Sequence, residues 1–338
     1  MDLKALAAHL NLSATTVSRA LNGYSDVSAK TRQRVVEAAQ ALGYQPNPVA
    51  RSLAMGRANA IGIVYPLEAD DVADPRFLQV VSGLTEGLME VNMDLLLASA
   101  THKGELDTYD RLVHGRRVDA FIVARTLCQD ERIDYLQQAG VPFLAYGRST
   151  DCQAYPWFDF DNEAGSVLAV ARLAGLGHRH IGYIHASLHY NFAHQRHAGF
   201  LRGMAEAGLP VAGQWLLQAG LARRSGYQAM MGLLDQDQRP SAVIVDNNLA
   251  GVGAVRALLD RGIVMGRDIS VIVYDGIPPD TLLTQHITSV VQPTQHRTGK
   301  HMATLMSRLL AGGHPLSELQ MLCQPELQAG DSDGPAPG

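Results

Sequence analysis

Ala14, Thr15, Thr16, Ser18 and Arg19 place a methyl group, three hydroxyls and a guanidinium within two turns of one amphipathic stretch. On a helix lying in a DNA major groove these groups have defined uses. The methyl meets thymine, the hydroxyls meet phosphates or base edges, and the guanidinium pairs in bidentate fashion with guanine. Taken alone, the pattern fits an ordinary helical hairpin equally well. Other chemistry is poorly supported. The histidines His178, His180, His185, His189, His194 and His197 invite a metal, but His178 and His180 alternate at a helix-to-strand junction, and His194 and His197 share a face only if their helix begins early. No nearby cysteine or paired carboxylate completes a tetrahedral set. Cys128, Cys152 and Cys323 are far apart, and the chain has no phosphate-binding Gly-rich loop, no Gly-x-Ser-x-Gly elbow and no dinucleotide fingerprint. No metal, cofactor, disulfide framework or enzymatic activity is expected.

The elements around these residues change rhythm along the chain. Residues 2–46 carry helical periodicity in three short blocks, with Ser13 and Ser28 placed as N-caps, Asn22-Gly23 ending the second block and Gly43 closing the third. Residues 47–56 offer Val49, Ala50, Leu53 and Ala54 at helical spacing in a segment too short to be stable alone. From residue 60 the pattern becomes βαβ. Strands are predicted at 61–65, 95–98, 120–123, 143–146 and 157–161, with helices at 77–91, 105–114 and 131–138 between them. A second series has helices at 163–175, 195–207, 225–234 and 249–261 and strands at 180–184, 215–218, 242–245 and 269–274. A last strand at 288–291 and a helix at 294–310 follow. The fold class is α/β: a three-helix head, then two doubly wound parallel-sheet lobes with a ligand cleft between them. Residues 331–338, rich in Gly, Pro and Asp, are expected to be a disordered tail.

The 338 residues carry a net charge of −5, divided unevenly. Residues 1–56 hold Lys4, Arg19, Lys30, Arg32, Arg34 and Arg51 against Asp2, Asp26 and Glu37, so a basic head precedes an acidic body. An anionic partner would touch the head. No apolar run approaches the roughly 20 residues of a membrane span. The opening residues lack the basic and apolar regions of a signal peptide, so a cytoplasmic protein without membrane partners is expected.

The head also resembles the LacI/GalR family of transcription regulators, through the runs 16–22 (TVSRALN), 27–32 (VSAKTR), 42–47 (LGYQPN) and 50–53 (ARSL). Asn11-Leu12 stands where that family usually has Gly-Val, a change the turn tolerates because Asn adopts the left-handed conformation. The resemblance implies DNA contacts from Ala14, Thr15, Thr16, Ser18, Arg19, Asn22, Ser28 and Thr31. It further implies a hinge helix using Asn47, Ala50, Arg51, Leu53 and Ala54, formed when two copies meet on the operator and wedge Leu53 into the minor groove. The implied organisation is a head at 1–46, a hinge and linker at 47–59, and a periplasmic-binding-protein-like effector and dimerisation domain at 60–330. Its N-lobe would comprise 60–161 and 291–321, and its C-lobe 162–290 and 322–330.

The body resembles the same family through residues 61–64, 117–119, 161–162, 176–181, 195–200, 246–248 and 273–275. By that resemblance the ligand stretches lie at strand ends facing the cleft. A sugar needs charged groups that bind neighbouring hydroxyls and rings that cover its apolar face. Arg148, Asp161, Arg196, Asn247 and Asp275 form the polar set, and Phe77, Tyr190 and Phe192 the rings. The strings 146–148 (YGR) and 191–196 (NFAHQR) are similar to members sensing α-glucosides, and Arg148 occupies the position where a purine-binding relative would present a stacking ring. The expectation is a repressor: a homodimer, with a tetramer also possible, that binds double-stranded operator DNA under control of a small carbohydrate. A solute-binding protein of a transport system is the rival from another class, disfavoured because it has no use for residues 3–56. A regulator answering to a protein partner or a non-sugar ligand is the second rival.

Overall fold

The computed structural model describes residues 2–44, 57–65, 75–100, 104–278 and 285–337. The chain divides into two compact units, 1–58 and 59–338. In the first unit, α1 (Leu3–Leu10), α2 (Ala14–Leu21) and α3 (Ala29–Ala41) enclose a small core of Leu6, Leu10, Val17, Ala20, Val27, Val35 and Ala39. Each helix starts on a side-chain cap: Asp2 accepts from the Ala5 N–H at 2.8 Å, Ser13 from Thr16 at 3.0 Å and Ser28 from Thr31 at 3.2 Å. The turn between α1 and α2 is made by Asn11 at φ 51°, the left-handed conformation that Asn accepts. Asn47, Ala50, Arg51, Leu53 and Ala54 lie outside the described residues.

The second unit holds two six-stranded sheets. Its first lobe contains β1 (Ala60–Tyr65), α4 (Pro75–Met89), β2 (Asp94–Ser99), α5 (Glu105–His114), β3 (Ala120–Ala124), α6 (Glu131–Gln138), β4 (Phe143–Tyr146) and β5 (Trp157–Phe160). Its second lobe contains α7 (Asn162–Gly175), β6 (Ile181–His185), α8 (Asn191–Glu206), β7 (Leu216–Gln218), α9 (Arg223–Leu234), β8 (Ala242–Val245), α10 (Asn248–Asp260), β9 (Ser270–Tyr274) and β10 (Ser289–Val291). The chain then returns to the first lobe with α11 (Gln295–Ala311) and β11 (Gln320–Cys323), and ends in the second with β12 (Glu326–Gln328). The strand orders are β11-β5-β4-β3-β1-β2 and β12-β10-β9-β8-β6-β7, parallel throughout except for the antiparallel β10–β12 pair. β1, β3, β6, β8 and β9 are buried along their whole length, as parallel strands covered on both faces must be. Helices α4 and α11 pack backbone to backbone: a Cβ on Gly83 would meet the His296 carbonyl oxygen at 2.0 Å, and one on Gly299 the Val80 oxygen at 2.2 Å.

Two boundaries differ from the sequence reading. The last crossing between lobes falls after Cys323 rather than after residue 321, because β11 continues in register with β5 as far as Phe160. The tail expected to be disordered is docked. Ser332 is fully buried and its hydroxyl donates to the Val271 carbonyl at 2.7 Å, Asp333 pairs with Arg172 at 2.6 Å and bonds the Thr288 hydroxyl, and the Ala336 N–H donates to Leu176. Composition suggested disorder because the segment is short of apolar side chains. Here the N-terminal ends of β9 and β10 supply polar partners instead.

Candidate functional site

On α2, Val17 and Ala20 turn into the core, leaving Thr15 exposed and Ala14, Thr16, Ser18, Arg19 and Asn22 half-buried around the outer face. Several of these groups have local partners. The Thr16 hydroxyl lies 2.8 Å from that of Ser13, the Asn22 amide donates to Ser18 at 3.4 Å, and Ser28 and Thr31 share a hydroxyl contact of 2.9 Å at the start of α3. The Arg19 guanidinium pairs with Asp26 at 2.8 Å and sits 4.6 Å from the centre of the Tyr24 ring. With side chains 43% and 55% exposed, that ion pair contributes about 0–1 kcal/mol and yields readily to a stronger partner.

The second unit has a cleft of about 990 Å³, continuous with solvent, at the carboxyl ends of β1, β3, β4, β8 and β9. Ligand sites of open α/β sheets form where strand order reverses, as it does between β1 and β3 and between β6 and β8. On the C-lobe side, buried Arg196 donates through Nε to Asn162 Oδ1 at 2.9 Å, through one terminal nitrogen to the Asp246 carbonyl, and through the other to Asp275 Oδ2 at 3.4 Å. Gln292 closes the set, accepting from Arg196 at 3.1 Å and donating to Asp275 Oδ1 at 3.3 Å. Burial works against the Arg196 charge, but Tyr274, Asp275 and Asp246 more than offset it and raise its pKa. Burial pushes the Asp246 carboxyl up, opposed by Arg196 and the Ala186 N–H. On the N-lobe side, Tyr65 and Phe77 stack at 4.5 Å and 18°, and the Arg125 guanidinium covers Tyr65 at 4.6 Å. The cleft therefore pairs a hydrogen-bonding wall built on the Arg196–Asp275 pair with an aromatic wall covered by the Arg125 guanidinium.

Of the residues nominated from sequence, Phe77, Phe192, Arg196, Asn247 and Asp275 line this cleft. Asn247 is committed internally, donating to Asp246 at 2.8 Å and capping α10 through the Ala250 N–H at 2.9 Å. Arg148, Asp161 and Tyr190 do not line it. Arg148 is held by Asp159 at 2.7 Å and lies over Trp157 at 5.2 Å, outside the lining itself, so it gives no geometric ground for rejecting a purine. Asp161 caps α7, accepting from Ala164 at 3.0 Å. Tyr190 stacks on Phe192 at 5.8 Å. Sequence reasoning missed Tyr65, Arg76, Arg125, Asp159, Asn162 and Gln292 in the lining. All except Arg76 stand within two residues of a strand's carboxyl end, the one signal available for them. Helix α8 begins at Asn191, four residues earlier than predicted, which brings His194 and His197 one turn apart. Among the described residues no three His, Cys, Asp or Glu side chains gather for a metal.

Residues 2–47 match the family described as bacterial regulatory proteins of the lacI family, and residues 58–319 match the periplasmic binding proteins and sugar binding domain of that family. The chain is 39% identical over 335 residues to the HTH-type transcriptional regulator RafR of Escherichia coli, covering 98% of each protein. Among solved structures it is similar to a transcriptional regulator CelR–cellobiose complex, at 27% identity, TM-score 0.73 and coverage of 98% and 99% of the two chains. It is also similar to the lac repressor dimer bound to operator and the anti-inducer ONPF, at 25% identity, TM-score 0.81 and 99% of both chains.

Proposed function

We propose, from the premise that this chain belongs to the LacI family of bacterial regulatory proteins, that it is a homodimeric repressor whose operator affinity is set by a small carbohydrate, a glucoside or oligosaccharide, held in the cleft. Family membership makes it a DNA-binding transcriptional regulator with a sugar-binding domain; the sign of regulation, the effector and the dimer are our reading. Its relatives are regulators, and we assign it binding without catalysis. No helix among the described residues is long and apolar enough to cross a membrane, and we place the protein in the cytoplasm beside its operator.

One observation carries the carbohydrate reading. Arg196 and Asp275 face the Tyr65–Phe77 stack across a single cleft, a charged donor and acceptor for vicinal hydroxyls opposite rings for an apolar sugar face. The neighbour solved with cellobiose agrees with that chemistry. For the head, Ala14, Thr15, Thr16, Ser18, Arg19 and Asn22 on α2, with Ser28 and Thr31 at α3, are the proposed DNA contacts, joined by Asn47, Ala50, Arg51, Leu53 and Ala54. An effector that binds one lobe arrangement better than another changes operator affinity by linkage, with no other requirement. The test is a thermal-shift screen of the full chain against mono- and disaccharides, repeated with operator selected from random duplexes. A stabilising sugar whose binding changes in the presence of operator supports the proposal. Absence of any sugar effect favours a protein partner or a non-sugar ligand.

A further inference from the structure

Away from the three covalent crossings, the lobes are joined at one edge of the cleft by a short antiparallel ladder. Leu127, just after β3, opposes Tyr190, just before α8. The Cys128 N–H donates to the His189 carbonyl at 3.0 Å and the Asn191 N–H to the Thr126 carbonyl at 3.0 Å. Buried Asn191 adds a side-chain tie, its Nδ2 donating at 2.8 Å to the Arg148 carbonyl, which also accepts from the Thr126 hydroxyl at 2.9 Å. The next residue, Phe192, lines the cavity, and Arg196 follows one turn later.

We propose that this ladder is a latch that fixes the lobes at one edge before any effector arrives, and that Asn191 is its positioning residue. Asn191 holds the first turn of α8 against the ends of β3 and β4. Phe192 and Arg196 are thereby placed opposite Tyr65 and Phe77 in the unliganded protein. A two-bond ladder between mobile bodies is weak alone, but here the Cys128 thiol donates to the Leu188 carbonyl at 3.4 Å and the Asn191 side chain adds its bond to the Arg148 carbonyl, whose loss leaves that carbonyl to the Thr126 hydroxyl alone. Opening of the lobes about the covalent crossings then requires this ladder to break. Two residues nominated from sequence as ligand contacts belong to this device: Tyr190 through its backbone pairing and Arg148 through its carbonyl.

The consequence for the effector rests on the carbohydrate reading; the latch does not, and hydrogen exchange tests it without ligand. In the unliganded full-length protein, the Cys128 and Asn191 amides should exchange about a hundredfold more slowly than exposed loop amides, since exchange requires opening across the lobes. Asn191→Asp, which sets an acceptor against the Arg148 carbonyl, should speed exchange at Cys128 on the opposite lobe about tenfold, leaving the core amide of Val245 unchanged. Loop-like exchange at Cys128 in the unliganded wild type overturns the latch, and this measurement stands even if the variant fails to fold. Unaltered protection at Cys128 in a folded Asn191→Asp variant overturns the role of Asn191. If exchange behaves as stated and no sugar binds, the effector reading fails and the latch survives.

Discussion

The Arg196 guanidinium lies over the Tyr274 ring, its Cζ 3.5 Å from the ring centroid, with both residues buried and Arg196 lining the cleft. Phe192 stands at 5.0 Å from the same carbon, so the charge is held between two aromatic groups. Its bond to Asp275, at 3.4 Å, is the longest of its four hydrogen bonds and lies at the cleft.

The ring should therefore matter to ligand binding. A desolvated cation–π contact contributes up to about 2 kcal/mol, so Tyr274→Leu is expected to weaken effector binding about tenfold or more. Tyr274→Phe keeps the ring and should bind nearly as wild type in calorimetry. Equal losses in both variants would count against the aromatic clamp.

Arg148 should act on stability. Burial pushes the Asp159 carboxyl up and Arg148 opposes that shift, so Arg148→Ala leaves a buried carboxylate without its cation. Breaking such a pair from one side costs about 3 kcal/mol. The expected result is a lower urea midpoint with effector affinity little changed in the folded protein. Lost affinity at undiminished stability would return Arg148 to the ligand site.

His178 sets a pH dependence. Its ring bonds the Ser241 and Ser270 hydroxyls at 2.8 and 2.9 Å, and burial lowers its pKa below the ordinary 6.5. The unfolded chain therefore takes the proton first. Its contribution to stability is complete above pH 6.5 and declines as the pH falls below it. Urea titrations at about pH 7.5 and 5.5 should show a smaller acid loss in His178→Gln than in wild type. Identical losses would contradict this.

Deleting residues 331–338 removes Asp333 from Arg172 and Thr288, and Gly334 from His178. With several buried polar partners left unmet, the loss should be about 2–4 kcal/mol, read as a clear fall in Tm. An unchanged Tm would restore the disordered tail.

The βαβ rhythm, the head and most helix ends were legible because they follow from periodicity and capping, as at Ser13, Ser28 and Asn11. The cleft was legible only in part. Arg196 and Asp275 sit where a strand end makes them face it, whereas Asp161 and Asp159 are two residues apart and swap roles: the first is needed as the cap of α7, leaving the second for the cavity. Tyr65 and Arg125 meet only through the register of β1 and β3, a long-range pairing with no local trace. The tail was misread because composition records missing apolar side chains and is blind to backbone partners at Thr288 and Val271.

The most direct test of the central claim is an operator titration of wild type and Arg196→Ala, each with and without the best sugar from the screen. The sugar should weaken wild-type operator binding by about fivefold or more, a usual size for allosteric coupling. Arg196→Ala should show no shift at the same concentration, because its charge-assisted bonds in the cleft are gone. A variant that still responds like wild type would contradict the assignment of the cleft as the effector site.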